Sequence, residues 1–205
     1  MDASRDQYRS LASKYDRKLQ IRLGEHSRKQ AFGAIDLRPG DTVLDVGCGT
    51  GLSFPLIEDA VGPSGKIIGV EPSPEMLRLV RSRVLHAGWN NVTLIEASAD
   101  DANISVPVDA VVIFRVHEVT RSRTALENVL RAAKPGARVL VLGVKQAPWY
   151  LFPLNLVVQR LTRSVTTSRE GFQHPWDLIA ELVPDLSVRT IAAGTQYIAT
   201  GRTAL

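Results

Sequence analysis

Between Val43 and Ser53 the chain reads VLDVGCGTGLS, with glycines at 47, 49 and 51, an acid at Asp45 and a thiol at Cys48. Glycines at that density let the backbone take positive φ and let a ligand lie directly against it. A helix starting near Leu52 would add main-chain N–H groups that favour a carboxylate or a phosphate. The spacing narrows the ligand. The dinucleotide pattern G-x-G-x-x-G counted from Gly47 needs glycine at 52, where leucine stands, and no Gly-Lys-Ser/Thr follows to make a P-loop. A second acid, Glu71, follows an apolar run, His117 and Glu118 follow another, and His174 stands in a late aromatic stretch. Histidine and carboxylate can each take a proton. His117, Glu118 and His174 are therefore candidate bases, with a structural histidine as the alternative at 117 and 174.

These residues must be positioned by the elements around them. From Asp41 onward, short β-branched runs alternate with longer helical stretches, the pattern of parallel strands joined by crossover helices. TVLDV (42–46), KIIGV (66–70), VTLI (92–95), DAVVIF (109–114) and RVLVLGV (138–144) read as five strands, mostly apolar on both faces, so helices should cover both faces. The helix after the second strand is marked by Ser73 as N-cap, Pro74 at its first position, Glu75 in its first turn, and Met76, Leu77, Val80 and Val84 at helical spacing. Residues 145–172 are rich in Trp, Tyr, Phe and Leu, and a helix is expected over Trp176 to Val183. LSVRTIAAG and TQYIATGRT then read as two antiparallel strands joined at Gly194. No repeat or linker divides the chain, so one domain is expected. Its parts would be an N-terminal helical cap (1–38), a ligand-binding core (39–145), a substrate-cover segment (146–184) and a terminal strand pair (185–205).

Composition removes other classes. The 205 residues carry 25 Lys plus Arg against 21 Asp plus Glu, a net charge of +4, with 44% apolar residues and a single cysteine. Residues 1–38 hold 9 basic and 5 acidic residues, whereas residues 39–205 hold 16 of each. The excess therefore sits on the N-terminal segment, where a solvated helix face explains it better than a nucleic acid or a membrane surface. The apolar stretch Gln146 to Gln159 is too short to span a bilayer and contains two prolines and an asparagine. The opening MDASRDQYRS lacks the apolar run of a signal peptide, and a lone thiol forms no internal disulfide, so a cytoplasmic setting is expected.

The glycine loop, with Asp45, Gly47, Gly49 and Gly51 in register, resembles the first motif of the class I S-adenosylmethionine-dependent methyltransferases. GVEPSPEML (69–77) and AKPGARVLVLG (133–143) extend the resemblance over most of residues 8–145, and the chain looks similar to the small bacterial ubiquinone- and menaquinone-methylating enzymes. The resemblance implies a Rossmann-like α/β fold: a seven-stranded, mostly parallel sheet with helices on both faces and an antiparallel last strand. It implies S-adenosyl-L-methionine as cofactor, lying on Gly47, Cys48, Gly49 and Gly51. Glu71 would accept hydrogen bonds from both ribose hydroxyls. Pro72, Ser98 and the N–H of Ala99 would meet the adenine. The family often has an aspartate where Ser98 stands, and Asp100 is a candidate substitute. Phe114 and Arg115 leave the fourth strand at the switch point where such sheets bind ligands, and Tyr15, with Tyr8, would close the pocket.

The acceptor is narrowed by what is missing. The stretch Ile113-Phe114-Arg115-Val116 lacks the Asn/Asp-Pro-Pro-aromatic motif of amide and DNA amino methylation. Cys48, inside the glycine loop, is unsuited to covalent attack on a pyrimidine. No Asp/Asn cluster follows the fourth strand to hold a catalytic magnesium, so no metal is expected. Trp149 to Leu154 suggests a cover for an apolar or aromatic small molecule, with core packing or a homodimer contact as the other readings. A methyltransferase acting on a lipophilic or aromatic small molecule is the expectation. A non-methylating protein of the same fold, regulatory or pericyclase-like, is the first alternative, and a nicotinamide oxidoreductase the second.

Overall fold

The computed structural model describes residues 22–145 and 174–204. Helix α1 (Arg22–Phe32) is followed by β1 (Thr42–Val46), α2 (Phe54–Val61), β2 (Lys66–Val70), α3 (Pro74–Ala87), β3 (Val92–Ile95) and β4 (Val108–Phe114). Then come α4 (His117–Arg121), α5 (Arg123–Arg131), β5 (Ala133–Val144), α6 (Asp177–Leu182), β6 (Ser187–Ile191) and β7 (Gln196–Arg202). The strands form one seven-stranded sheet in the order β3-β2-β1-β4-β5-β7-β6. The β1–β2, β2–β3, β1–β4 and β4–β5 pairs are parallel, while β7 runs antiparallel to β5 on one side and β6 on the other. The expected fold class is present.

The strands are apolar on both faces because both faces are covered. One face packs Val43, Val112 and Leu140 against Ala31 of α1, Ile57 of α2 and Leu77 of α3. The other packs Leu44, Val111 and Val139 against Val119 of α4, Leu126 of α5 and Ile179 of α6. Burial at these positions drives the fold at about 25 cal/mol per Å² of apolar surface. Helix α3 is set as its sequence predicts: the Ser73 hydroxyl accepts from the Met76 N–H at 3.3 Å, Pro74 opens the helix, and Gly88 closes it in the left-handed conformation (φ 69°).

Several boundaries differ from expectation. Helix α2 starts at Phe54 rather than near Leu52, because residues 51–53 continue the turn. Strand β5 starts at Ala133, five residues before Arg138, and pairs through Val108↔Ala133 with a register shift before Ala110. Ile179 and Val183, at the end of the expected cover segment, are buried core residues. A short 3₁₀ turn (Ala192–Gly194), not Gly194 alone, joins β6 to β7. Trp149 to Leu154, Tyr8 and Tyr15 lie outside the described residues. Among those described, no helix is long and apolar enough to cross a membrane, and no His/Cys/Asp/Glu cluster could hold a metal ion.

Strand order reverses direction at β1: the chain builds outward through β2 and β3, then returns to place β4 on the other side. The crevice beyond the carboxyl ends of β1 and β4 is where such sheets bind ligands, and the glycine turn, Glu71 and Phe114 stand at the strand ends beside it.

Candidate functional site

The glycine turn closes over the end of β2. The N–H groups of Gly47 and Cys48 both donate to Val70 O, at 2.8 and 3.0 Å, and the Gly51 N–H donates to Cys48 O at 2.9 Å. The Gly49 N–H donates to Glu71 Oε2 at 3.0 Å. The N–H groups of 47, 48, 49 and 51 thus have protein partners. A loop whose donors are satisfied by the protein suits a ligand that lies flat against the main chain better than a phosphate needing several donors.

The three glycines are required for different reasons. A methyl added at Gly47 would come within 2.5 Å of Val116 Cγ2, and one added at Gly51 within 2.5 Å of Val80 Cγ2. Gly49, at φ 55°, has nothing within 4 Å of that position. Gly47 and Gly51 are closed by the protein's own side chains, and Gly49 presents bare main chain to open space.

Glu71 stands at the end of β2 beside that opening. Its Oε1 accepts from the Ser73 N–H at 2.9 Å while Oε2 holds Gly49, so the carboxylate is fixed from both sides with lone pairs to spare. Burial raises its pKa, and the two main-chain donors oppose that rise. Asp45, on β1 between Gly69 of β2 and Val112 of β4, is more unusual. It is 1% exposed and neither carboxylate oxygen has a hydrogen-bond partner. Burial pushes its pKa up to about 7; Arg28 of α1 pulls it down and Glu71 pushes it further up. The contrast with Asp41 is instructive: that buried acid is paired with Arg138 at 2.9 Å and accepts from the Arg38 N–H at 2.6 Å. A structural acid is satisfied inside the protein, whereas Asp45 is an acceptor without a donor. Gly69 leaves room beside it for the Cys48 sulfur, where a methyl would sit 2.8 Å away. Burial and the two acids push the Cys48 thiol up, so it stays protonated.

Beyond β3, the loop expected to meet a base is locked by α5. Asn128 Nδ2 donates to Ala99 O and Ala102 O, both at 2.9 Å. The Ser98 hydroxyl donates to Asp101 Oδ2, and the Ser122 hydroxyl to Asp100 Oδ1, both at 2.7 Å. Asp100, the sequence candidate for a base contact, is engaged by Ser122. Pro72 is exposed, Ser98 half-buried and Ala99 buried. Sequence reasoning missed Asn128 and Ser122. Ser122 had a local signal as a helix cap, accepting from the Ala125 N–H at 3.1 Å; Asn128 had none.

Across the crevice, Phe114 ends β4 with its ring edge-on to Phe32 of α1 at 5.2 Å, and Arg28 Cζ lies 6.0 Å from its centroid. Arg28 is a second residue the sequence reading missed. Arg115 follows in a positive-φ conformation (57°). His117 is half-buried at the first position of α4, where its carbonyl accepts from the Thr120 hydroxyl at 3.0 Å, and Glu118 beside it is exposed. His174 is exposed and stacks edge-on against Trp176 at 5.6 Å, which stacks on Tyr197 of β7 at 5.0 Å. The structure gathers Gly47 to Gly51, Glu71, Asp45 and Phe114 around one crevice. His174 is tied instead to the aromatic stack on the β7 side.

Residues 43–136 match the family model described as a methyltransferase domain. That match covers a little under half of the chain. A demethylmenaquinone methyltransferase of Shouchella clausii is 31% identical over 150 residues, covering 69% of this chain and 62% of that protein. A ubiquinone/menaquinone biosynthesis C-methyltransferase of Ectopseudomonas mendocina is 35% identical over 143 residues, covering 66% of this chain and 55% of that protein. The chain thus matches between about half and two thirds of the length of these curated relatives. Among solved structures, a SAM-dependent methyltransferase of Aquifex aeolicus aligns with a TM-score of 0.60 at 22% identity, covering 86% of this chain and 89% of that one. The methyltransferase domain match spans the glycine turn, Glu71 and the β4 exit and stops at 136, just inside β5; the structural likeness reaches well beyond it.

Proposed function

We propose that the protein transfers a methyl group from S-adenosylmethionine to a lipophilic or aromatic small molecule of the quinol or phenol type. The observation that carries the reading is Glu71, held by the Gly49 and Ser73 N–H groups beside the open main chain of Gly49. That arrangement suits a ribose diol over the carboxylate and an uncharged linker along the glycine turn, and the satisfied turn donors argue against a phosphorylated ligand. The unpartnered Asp45 and nearby Arg28 offer one acid and one cation to a zwitterionic amino-acid tail. The names of the curated relatives support the acceptor class.

S-adenosylmethionine, when bound, supplies a methyl already activated on a sulfonium. The work of this chain is then to bind, orient and exclude water; orientation alone can contribute up to about 7–11 kcal/mol. Glu71 takes the ribose, with Pro72, Ser98 and Ala99 around the base, while Gly47, Cys48 and Gly51 keep the turn's shape. Phe114 forms the apolar wall on the acceptor side. His117 or Glu118 takes the proton of a hydroxyl acceptor, with His174 as the further candidate. Calorimetry with S-adenosylhomocysteine is the test: micromolar binding is expected, and binding of NADH in its place would overturn the reading. S-adenosylhomocysteine binding without turnover on any quinol or phenol would instead favour a non-methylating protein.

A further inference from the structure

The glycine turn and Glu71 belong to different strand ends, and one helix ties them together. Helix α3 begins where the Ser73 N–H holds Glu71 Oε1 at 2.9 Å. Further along it, Val80 Cγ2 lies 2.5 Å from where a methyl on Gly51 would stand. Arg83, one helical turn beyond Val80, donates from Nε to Thr50 O at 2.8 Å. Residues three apart share a helix face, so Val80 and Arg83 meet the turn from the same side. The other arginines of α3, Arg78 and Arg81, are exposed, whereas Arg83 is half-buried.

The peptide unit between Thr50 and Gly51 is held at both ends: its carbonyl by Arg83, its N–H by Cys48 O at 2.9 Å. Rotating that unit by half a turn would carry the φ of Gly51 from 74° to the negative side, which glycine adopts without strain. Local preference at Gly51 therefore leaves both orientations open, and hydrogen bonding decides between them. The Cys48 carbonyl belongs to the turn and shifts with it. Arg83 comes from 33 residues later, on a helix fastened to the sheet through Leu77 and Val80. A charged donor on a carbonyl also makes a stronger bond than a neutral one.

We propose that Arg83 is a positioning residue for the cofactor: its Nε–H fixes the Thr50–Gly51 peptide, and with it the course of the main chain at Gly49 along which the tail of S-adenosylmethionine lies. It acts through the turn rather than on the ligand. The inference rests on the methyl-transfer reading above and deepens it, because it names the group that registers the turn against Glu71.

The test compares two variants of the full chain that differ in the donor. Glutamine places an amide N–H the same number of bonds from the main chain as the arginine Nε, and methionine places a methyl there. Calorimetry follows S-adenosylhomocysteine and adenosine, which ends at the ribose. In Arg83→Met the dissociation constant for S-adenosylhomocysteine should rise roughly tenfold, the span of one charge-assisted hydrogen bond, while that for adenosine stays within about twofold. Arg83→Gln should return S-adenosylhomocysteine to within about threefold of wild type. Urea denaturation of the ligand-free proteins supplies the control: lowered stability in Arg83→Met with the ratio of the two affinities as in wild type means a role in folding alone, and overturns the proposal. A glutamine variant as weak as the methionine variant assigns the effect to the positive charge and overturns it too. Failure of wild type to bind S-adenosylhomocysteine removes the methyl-transfer reading and this proposal with it, whereas wild-type binding with an unchanged ratio in Arg83→Met removes only the role of Arg83.

Discussion

The β1–β2 side of the crevice and the β4–β5 side are built in different ways. On the first, main chain does the work: glycines bring the backbone to the surface, and Glu71 is clamped by two N–H groups, Gly49 from the turn after β1 and Ser73 just past β2. On the second, side chains do it: Phe114 and Arg115 stand at one strand exit, and their neighbours Phe32 and Gln196 come from α1 and β7. A surface made of backbone tolerates few substitutions and suits a ligand that never changes. A surface made of side chains can be altered residue by residue without rebuilding the sheet, which suits the part of an enzyme that chooses its acceptor.

The sharpest way to break this comparison is to add side chains to the glycines. Gly49→Val should abolish S-adenosylhomocysteine binding in calorimetry and still give a cooperative melt, lowered by the strain of valine at φ 55° but by no clash, because its added atoms enter open space. Gly51→Ala should do the reverse in kind, lowering stability by about 2–4 kcal/mol in urea denaturation through its clash with Val80 and its positive φ. If both variants only lose stability, Gly49 does not face a ligand.

The next effect belongs to Asp45. Its folded pKa of about 7 lies above an ordinary aspartate value of about 3.9, so the folded state binds the proton more tightly. Its stabilising contribution is fully present below the unfolded value and is lost as pH rises toward about 7, by on the order of 1.4 kcal/mol per pH unit within that window. Asp45→Asn should flatten the fall in stability between pH 5 and 7 in ligand-free protein. An unchanged slope would show that the carboxylate is ionised in the folded state.

Glu71→Ala should weaken S-adenosylhomocysteine binding by about 1.5–3 kcal/mol, the range for hydrogen bonds to a charged group. Unchanged affinity would return Glu71 to a purely structural role in holding Gly49. The smallest effect is expected for Asn128→Ala. Losing its two bonds to the loop after β3 should lower stability by about 1–2 kcal/mol and raise the dissociation constant a few fold, without touching ribose recognition. An inosine analogue of S-adenosylhomocysteine sharpens the point: its penalty relative to the adenosine form should shrink in the variant if the loop positions the base.

Much of the main-chain side was legible in the residues. The strand runs of β1, β2 and β3 agree with the structure to the residue, and the Ser73-Pro74 start and Gly88 stop of α3 are local signals. The early start of β5 was hidden because KPGA reads as a turn; only pairing of Ala133 with Val108 makes it strand. Asn128 looked like one polar residue on a surface helix, and its role exists only because α5 lies beneath a loop 26 to 29 residues earlier in the chain. Arg28 belonged to a basic N-terminal segment whose excess charge had a sufficient explanation in solvation, until α1 placed it over Phe114.

The sequence by itself determined the alternation of strands and helices, the bare turn after β1 and the acid one strand over, because periodicity, capping and the need for positive φ act over a few residues. The tertiary structure alone decided that Gly47 and Gly51 are closed by Val116 and Val80 while Gly49 is open, that Asp45 is buried without a donor, and that β7 inserts between β5 and β6. Those outcomes depend on which distant side chains arrive at a site, and packing at van der Waals contact settles that only when the whole sheet and its helices are assembled.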